Sequence, residues 1–185
     1  IEDVSKTFGL TSGNNYVFRL SLGDRADTKK YYKDDASWDF AENVLREVLQ
    51  ERNADFYEAE HEAAFYGPKI DIQMKNVLGK EDTAFTVQYD FVMPKRFKLS
   101  YIDEDGQEKE PIVIHRSSIG AIERVMAFLI EHYAGAFPVW LHPEQVVIIP
   151  IGEDQKPYAQ EVAKSLREAI PGLRLSIDED NNTLG

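Results

Sequence analysis

The chain has 185 residues, 43% apolar and 29% charged, with 33 acids against 21 bases and a net charge of −12. That composition supports a real core and argues against a protein that coats nucleic acid through a basic face, while leaving room for a local patch. The absence of cysteine excludes disulfide scaffolds, thiol catalysis and cysteine-built zinc fingers within the chain and is compatible with a reducing compartment, and the longest apolar runs, about half a dozen residues, fall far short of the roughly 20 a membrane-spanning helix needs.

The start, Ile1-Glu2-Asp3, has neither the basic nor the apolar region of a signal peptide. Tyr16-Val17-Phe18-Arg19-Leu20-Ser21-Leu22 alternates and predicts a strand; a charged loop from Gly23 to Asp35 follows. Ala36–Arg52 is the clearest helix. Trp38, Ala41, Val44, Leu45, Val48 and Leu49 fall on one stripe, Ser37 is the expected cap, and Asp39 and Glu42 lie near the positive end. Trp38 therefore belongs to the core. Short strands are expected at Phe56–Glu60, Lys69–Lys75, Phe85–Phe91, Phe97–Ile102 and Pro111–His115, with the last two closed as a hairpin by Asp103-Glu104-Asp105-Gly106. Consecutive short strands joined by turns predict an antiparallel sheet.

A second helix is expected over Ile119–Tyr133, capped by Ser117 or Ser118, with Ile122, Val125, Met126, Leu129 and Ile130 as its apolar stripe and Gly135 and Pro138 beyond its end. Ala134–Pro143 reads as a linker. The pattern then changes. Val146–Ile151 is a continuous apolar run of the kind found in strands buried on both faces, Pro157 opens a helix to about Ala169, and Leu173–Ile177 is a further strand, which together make a βαβ unit. Asn181–Gly185 reads as a polar turn. One βαβ unit cannot cover both faces of its strands, so the chain reads as beginning inside one domain and ending inside another.

Three stretches carry chemistry. In Ile112-Val113-Ile114-His115-Arg116-Ser117-Ser118-Ile119-Gly120-Ala121-Ile122-Glu123-Arg124 a strand passes through small residues into a helix. The helix start suits an anion, Arg124 adds a permanent bidentate donor, and Gly120 admits a close approach by backbone or ligand. The competing reading pairs Arg124 with a surface acid and satisfies His115 in a packed core. In Ala63-Ala64-Phe65-Tyr66-Gly67-Pro68-Lys69-Ile70-Asp71 a Gly-Pro turn holds Tyr66 and Lys69 together at a strand entrance; a turn tyrosine and an exposed lysine are the plain alternative. In Thr86-Val87-Gln88-Tyr89-Asp90-Phe91, Thr86, Gln88 and Asp90 share one face, which either reads a polar ligand or meets solvent.

These blocks, followed by Glu131-His132-Tyr133-Ala134-Gly135-Ala136-Phe137-Pro138-Val139-Trp140-Leu141, stand in an order and spacing that resemble the threonyl-tRNA synthetases, a family of class II aminoacyl-tRNA synthetases. The resemblance covers essentially the whole chain. It implies an α+β fold with an antiparallel class II sheet flanked by helices, over residues 1–142 as the second half of a catalytic domain. Residues 143–185 would be the start of an α/β anticodon-binding domain. It implies a cytoplasmic, homodimeric enzyme that activates threonine with ATP and magnesium and transfers it to its tRNA. By the same resemblance Arg124 holds the ATP phosphates, Tyr66 and Gln88 line the amino-acid pocket, and Lys69 lies near the adenylate. His115 is one of three ligands of a zinc ion that selects threonine over valine, as a site built for a polar group does against an apolar isostere.

The chain departs from the family at Asp82 and Thr83, where a Trp-Gln pair is usual, and at Ala121, where many members have Ser. The first two class II motifs, and the Cys and His that complete the zinc site, have no counterpart here. His61, His132 and His142 do not match ligand positions. A catalytic zinc takes about three protein ligands, so these 185 residues alone are expected to bind zinc weakly or not at all and to form no adenylate. The alternative is a synthetase-like paralogue that kept the fold as a tRNA-binding or regulatory module without catalysis.

Overall fold

The computed structural model describes residues 2–117 and 119–180. The chain divides between His132 and Tyr133 into two compact units. The expected polar turn at Asn181–Gly185, the alternative cap Ser118 and the first residue, Ile1, lie outside the described residues.

The first unit is built on a five-stranded sheet. After a short helix, α1 (Glu2–Thr7), come β1 (Tyr16–Ser21), helix α2 (Asp35–Glu51), β2 (Phe56–Ala59), β3 (Lys69–Lys75) and β4 (Glu81–Asp90). Helix α3 (Met93–Phe97), β5 (Tyr101–Ile102), β6 (Glu108–Lys109), β7 (Val113–Arg116) and helix α4 (Ile122–Tyr133) complete it. The sheet order is β2-β1-β3-β4-β7, parallel between β1 and β2 and antiparallel elsewhere. The fold is thus α+β with a mainly antiparallel sheet flanked by helices.

The sheet has two unlike faces. Phe18, Ile72 and Phe85 stand opposite one another across β1, β3 and β4, as do Leu20, Ile70 and Val87. Phe18, Leu20, Ile70, Ile72 and Phe85 are buried and form the core together with Trp38, Ala41, Leu45 and Leu49 of α2. Trp38 is 1% exposed, donates its indole N–H to Tyr32 O at 2.8 Å and meets Phe91 edge-on. It is core, as its place on the stripe predicts. Val48 is exposed instead, and Glu42 is buried because its carboxylate accepts from Gly23 N and pairs with Arg25 at 2.8 Å. The cap of α2 is Asp34, three residues earlier than expected; its carboxylate accepts from both the backbone N–H and the hydroxyl of Ser37.

Two expectations change in the stretch after β4. Residues 97–102 do not form one strand, because Pro94 starts the short helix α3, which ends at Lys98 in the left-handed region (φ 53°). The Asp103–Gly106 turn does close a hairpin, but a small one of β5 with β6, while β7 pairs with β4. Helix α4 begins at Ile122, three residues later than the apolar pattern suggests, because Gly120 sits at φ 73° and cannot continue a helix. Ser117 Oγ accepts from Gly120 N at 2.7 Å and so closes a turn before the helix instead of capping it.

The second unit holds β8 (Val146–Ile148), a 3₁₀ turn at Glu153–Gln155, α5 (Lys156–Ala169) and β9 (Leu175–Ile177), with β8 and β9 parallel. This is the predicted βαβ unit. The apolar run is not buried on both faces, however. Ile149 is 51% and Ile151 85% exposed, since α5 contributes only Ala159 and Ala163 to its buried side.

Candidate functional site

The opposite face of the sheet is polar, and strand register decides which side chains meet there. Lys69 of β3 stands across from Gln88 of β4, and Gln88 from His115 of β7. Residues directly opposite share a face, so Lys69, Gln88 and His115 form one row over three strands. The next row is Arg19, Asp71 and Thr86.

Tyr66 joins the first row from the turn before β3. That turn is zipped to β4: Phe91 N donates to Tyr66 O at 3.3 Å and Tyr89 N to Pro68 O at 3.0 Å. Gly67 makes the approach possible, because a Cβ there would lie 1.7 Å from Tyr89 O. The Tyr66 hydroxyl donates to Gln88 Oε1, and its ring lies 5.6 Å from the His115 ring. Burial first, and then the Asp90 charge, push the Tyr66 phenol above its ordinary range, so it serves as a donor at neutral pH. With Gln88 Oε1 accepting from Tyr66, the amide NH2 keeps both of its N–H donors for a ligand.

Beneath the row lie two carboxylates that are both fully buried. Asp71 Oδ2 accepts from Lys69 Nζ at 2.7 Å, Ser21 Oγ at 2.8 Å and Arg19 Nη2 at 2.9 Å, and Oδ1 accepts from Thr86 Oγ1 at 2.9 Å. Burial alone would raise this carboxyl's pKa, but the bonds from Lys69 and Arg19 outweigh it and hold Asp71 below the usual range. Asp90 Oδ2 lies 2.7 Å from His115 Nε2, and its Oδ1 accepts from the backbone N–H of Val92 and Met93. Neither carboxylate stands out as a site residue in sequence. Their signal is the alternation itself, which puts Asp71 on the face of Lys69 and Asp90 on the face of Gln88.

Arg124 stands apart from this row. Its guanidinium donates to Thr83 O and lines a cavity of about 110 Å³ with Met74, Asn76, Asp82, Ala84 and Phe128. Thr83 is five residues from Gln88 along β4, roughly 16 Å at 3.3 Å per residue. Tyr66, Lys69, Gln88 and His115 are therefore brought together, and Arg124 is placed at the other end of the same strand. The close approach at Gly120 is by backbone: a Cβ there would lie 1.9 Å from Ala84 O. Among the described residues no three His, Asp or Glu side chains gather as a metal-binding group. No helix among them is long and apolar enough to cross a membrane.

Residues 4–133 match the model of the tRNA synthetase class II core domain (G, H, P, S and T), and residues 145–185 match that of the anticodon binding domain. The chain is 50% identical, over its whole length, to a threonine–tRNA ligase of Anoxybacillus flavithermus and 51% identical to one of Streptococcus gordonii. It spans 28% of the length of each of these relatives. Among solved structures it is similar to the RNA binding domain of threonyl-tRNA synthetase from Cryptosporidium parvum, with a TM-score of 0.85 and 32% identity. That match covers 99% of this chain and 44% of the other.

Proposed function

The chain belongs to the class II tRNA synthetase core family and runs on into an anticodon-binding domain, and from that premise we propose that the protein carrying it uses ATP to join threonine to its tRNA. The observation that carries the reading is the row of Lys69, Gln88 and His115 with Tyr66 set over it, in a chain half identical to threonine–tRNA ligases. The domain boundary belongs to the same proposal, with 1–142 as catalytic core and 143–185 as the start of the part that meets the anticodon.

Activation joins the threonine carboxylate to the α-phosphorus of ATP and expels pyrophosphate. The step needs neutralised charge and alignment more than a covalent nucleophile. Gln88 and Tyr66 supply a fixed polar wall for the amino acid. Lys69, already held by Asp71, keeps further N–H donors for the carboxylate or the adenylate. Arg124, at the far end of β4, takes the phosphates of an ATP laid along the strand, where magnesium would share the charge. Its reach to an amino acid is bridged by the nucleotide, which fits its separation from the row. His115 would be one ligand of a zinc ion, with the other donors outside the described residues, and that ion would supply a Lewis acid selective for an amino acid that carries a hydroxyl. A homodimeric, cytoplasmic enzyme completes the proposal.

The test is threonine-dependent ATP–pyrophosphate exchange by the full-length protein. Arg124→Ala should lower exchange by about 100-fold or more while the protein stays folded, and normal exchange would remove Arg124 from the phosphate role. His115→Ala should lower bound zinc in elemental analysis and weaken discrimination against valine. A second reading, a tRNA-binding or regulatory module without catalysis, draws on Asp82 and Thr83 and on the Arg124 guanidinium resting on Thr83 O. A full-length protein that binds tRNA but gives no exchange would decide for that module.

A further inference from the structure

His115 is not satisfied inside a packed core. Its side chain is 49% exposed, yet one ring nitrogen is tied to a carboxylate that is 0% exposed. That carboxylate is itself fixed. Asp90 ends β4, and its Oδ1 accepts from Val92 N at 3.0 Å and Met93 N at 2.8 Å, at the turn into α3. Only Oδ2 is left for the imidazole, 2.7 Å from Nε2. Asp90 cannot swing away without releasing two backbone donors in a buried turn.

An ionised carboxylate only accepts, so the hydrogen between the two groups belongs to Nε2. In a neutral imidazole the other nitrogen then carries the lone pair. Nδ1 makes no hydrogen bond among the described residues. We infer that Asp90 is a positioning residue that fixes His115 as the Nε2–H tautomer and so presents Nδ1 as the lone-pair donor of the site. A histidine held in this way by a carboxylate is oriented for a metal ion, and losing such a partner weakens metal binding. The inference rests on the reading of His115 as a ligand-bearing residue, and it adds which nitrogen is used and what selects it.

The decisive measurement needs no metal and no turnover. Long-range proton–nitrogen correlation spectra of the 185-residue chain, taken near pH 9, above the ordinary imidazole range of about 6.5, distinguish the two tautomers of His115. The expected pattern is protonated Nε2 with Nδ1 bare. In Asp90→Asn the amide oxygen stays on the two backbone N–H groups and the NH2 turns to His115, so Nε2 must accept and the proton moves to Nδ1. A residue that only supports the fold would leave the tautomer unmoved. A wild-type spectrum with Nδ1 protonated would overturn the inference, and that spectrum decides the matter even if Asp90→Asn fails to fold. In the full-length protein Asp90→Asn should lower zinc affinity about 10–100-fold. The expected tautomers with zinc content unaltered by His115→Ala would uphold Asp90 as the positioning group and defeat the zinc reading alone.

Discussion

Asp71 shows at the scale of one residue how a charge is kept in the sheet. Transferring a lone carboxylate out of water is costly, and four donors from β1, β3 and β4 offset that cost here. Removing it strands Arg19 and Lys69 next to a buried gap. Asp71→Ala should therefore destabilise the chain by about 3–5 kcal/mol in urea unfolding at pH 7. The pH dependence follows from the direction of its shift. Held below the usual carboxylate range, the group contributes stability that is complete above the ordinary Asp value of about 3.9 and is lost as pH falls through its lower folded value. Asp71→Asn should flatten that acid limb of the stability curve, and an unchanged limb would mean the carboxylate is not what the acid titrates. Lys69 and Asp71 are two apart on a strand, so their shared face was legible in sequence. Arg19 and Ser21 arrive from about fifty residues away, and only strand pairing, which no local pattern encodes, brings them in. The same holds for Asp90, whose face was readable but whose partner His115 was not.

Elements differ in how far their own residues decide them. Lys69–Lys75 is a strand over the span its alternation predicts, and the stripe of α2 buries Trp38, Ala41, Leu45 and Leu49 as read. Local pattern fails where backbone geometry outranks it. The apolar spacing of α4 runs back to Ile119, but Gly120 takes a left-handed turn against β4 and delays the helix. Pro94 likewise starts α3, whose end at Phe97 and Lys98 takes the first residues of the strand expected over Phe97–Ile102. Gly120 is thus the joint between β7, which carries His115, and α4, which carries Arg124. A methyl group there would press on Ala84 O at 1.9 Å while the backbone stays at φ 73°. Gly120→Ala should cost at least about 2 kcal/mol, read by chemical denaturation. In the full-length protein it should also lower pyrophosphate exchange, because relieving the clash moves α4 away from β4. Stability within a few tenths of a kcal/mol of the parent would show that the turn has room the geometry denies it.

For the whole molecule the two units are unequal in what they bury. The first holds all of the large buried apolar side chains among the described residues, whereas Ala159 and Ala163 are the buried apolar residues of the second. Two alanines release little transfer free energy, and a βαβ unit of this size sits near the limit of about 40 residues below which chains need outside help to fold. Ile149 and Ile151 are apolar side chains that the described residues leave exposed. Residues 1–142 prepared alone should keep the cooperative thermal transition and the dispersed amide spectrum of the parent chain. Residues 143–185 alone should show neither. The boundary at 142 is the testable part: it keeps α4 whole and separates the Arg174 side chain from the Trp140 and His142 carbonyls it bonds. Cutting there removes Arg174 from both carbonyls, so 138–142 should lose amide protection while the sheet keeps its own. A dispersed, cooperatively melting spectrum from 143–185 would show that so small a buried side is enough for the second unit to fold by itself.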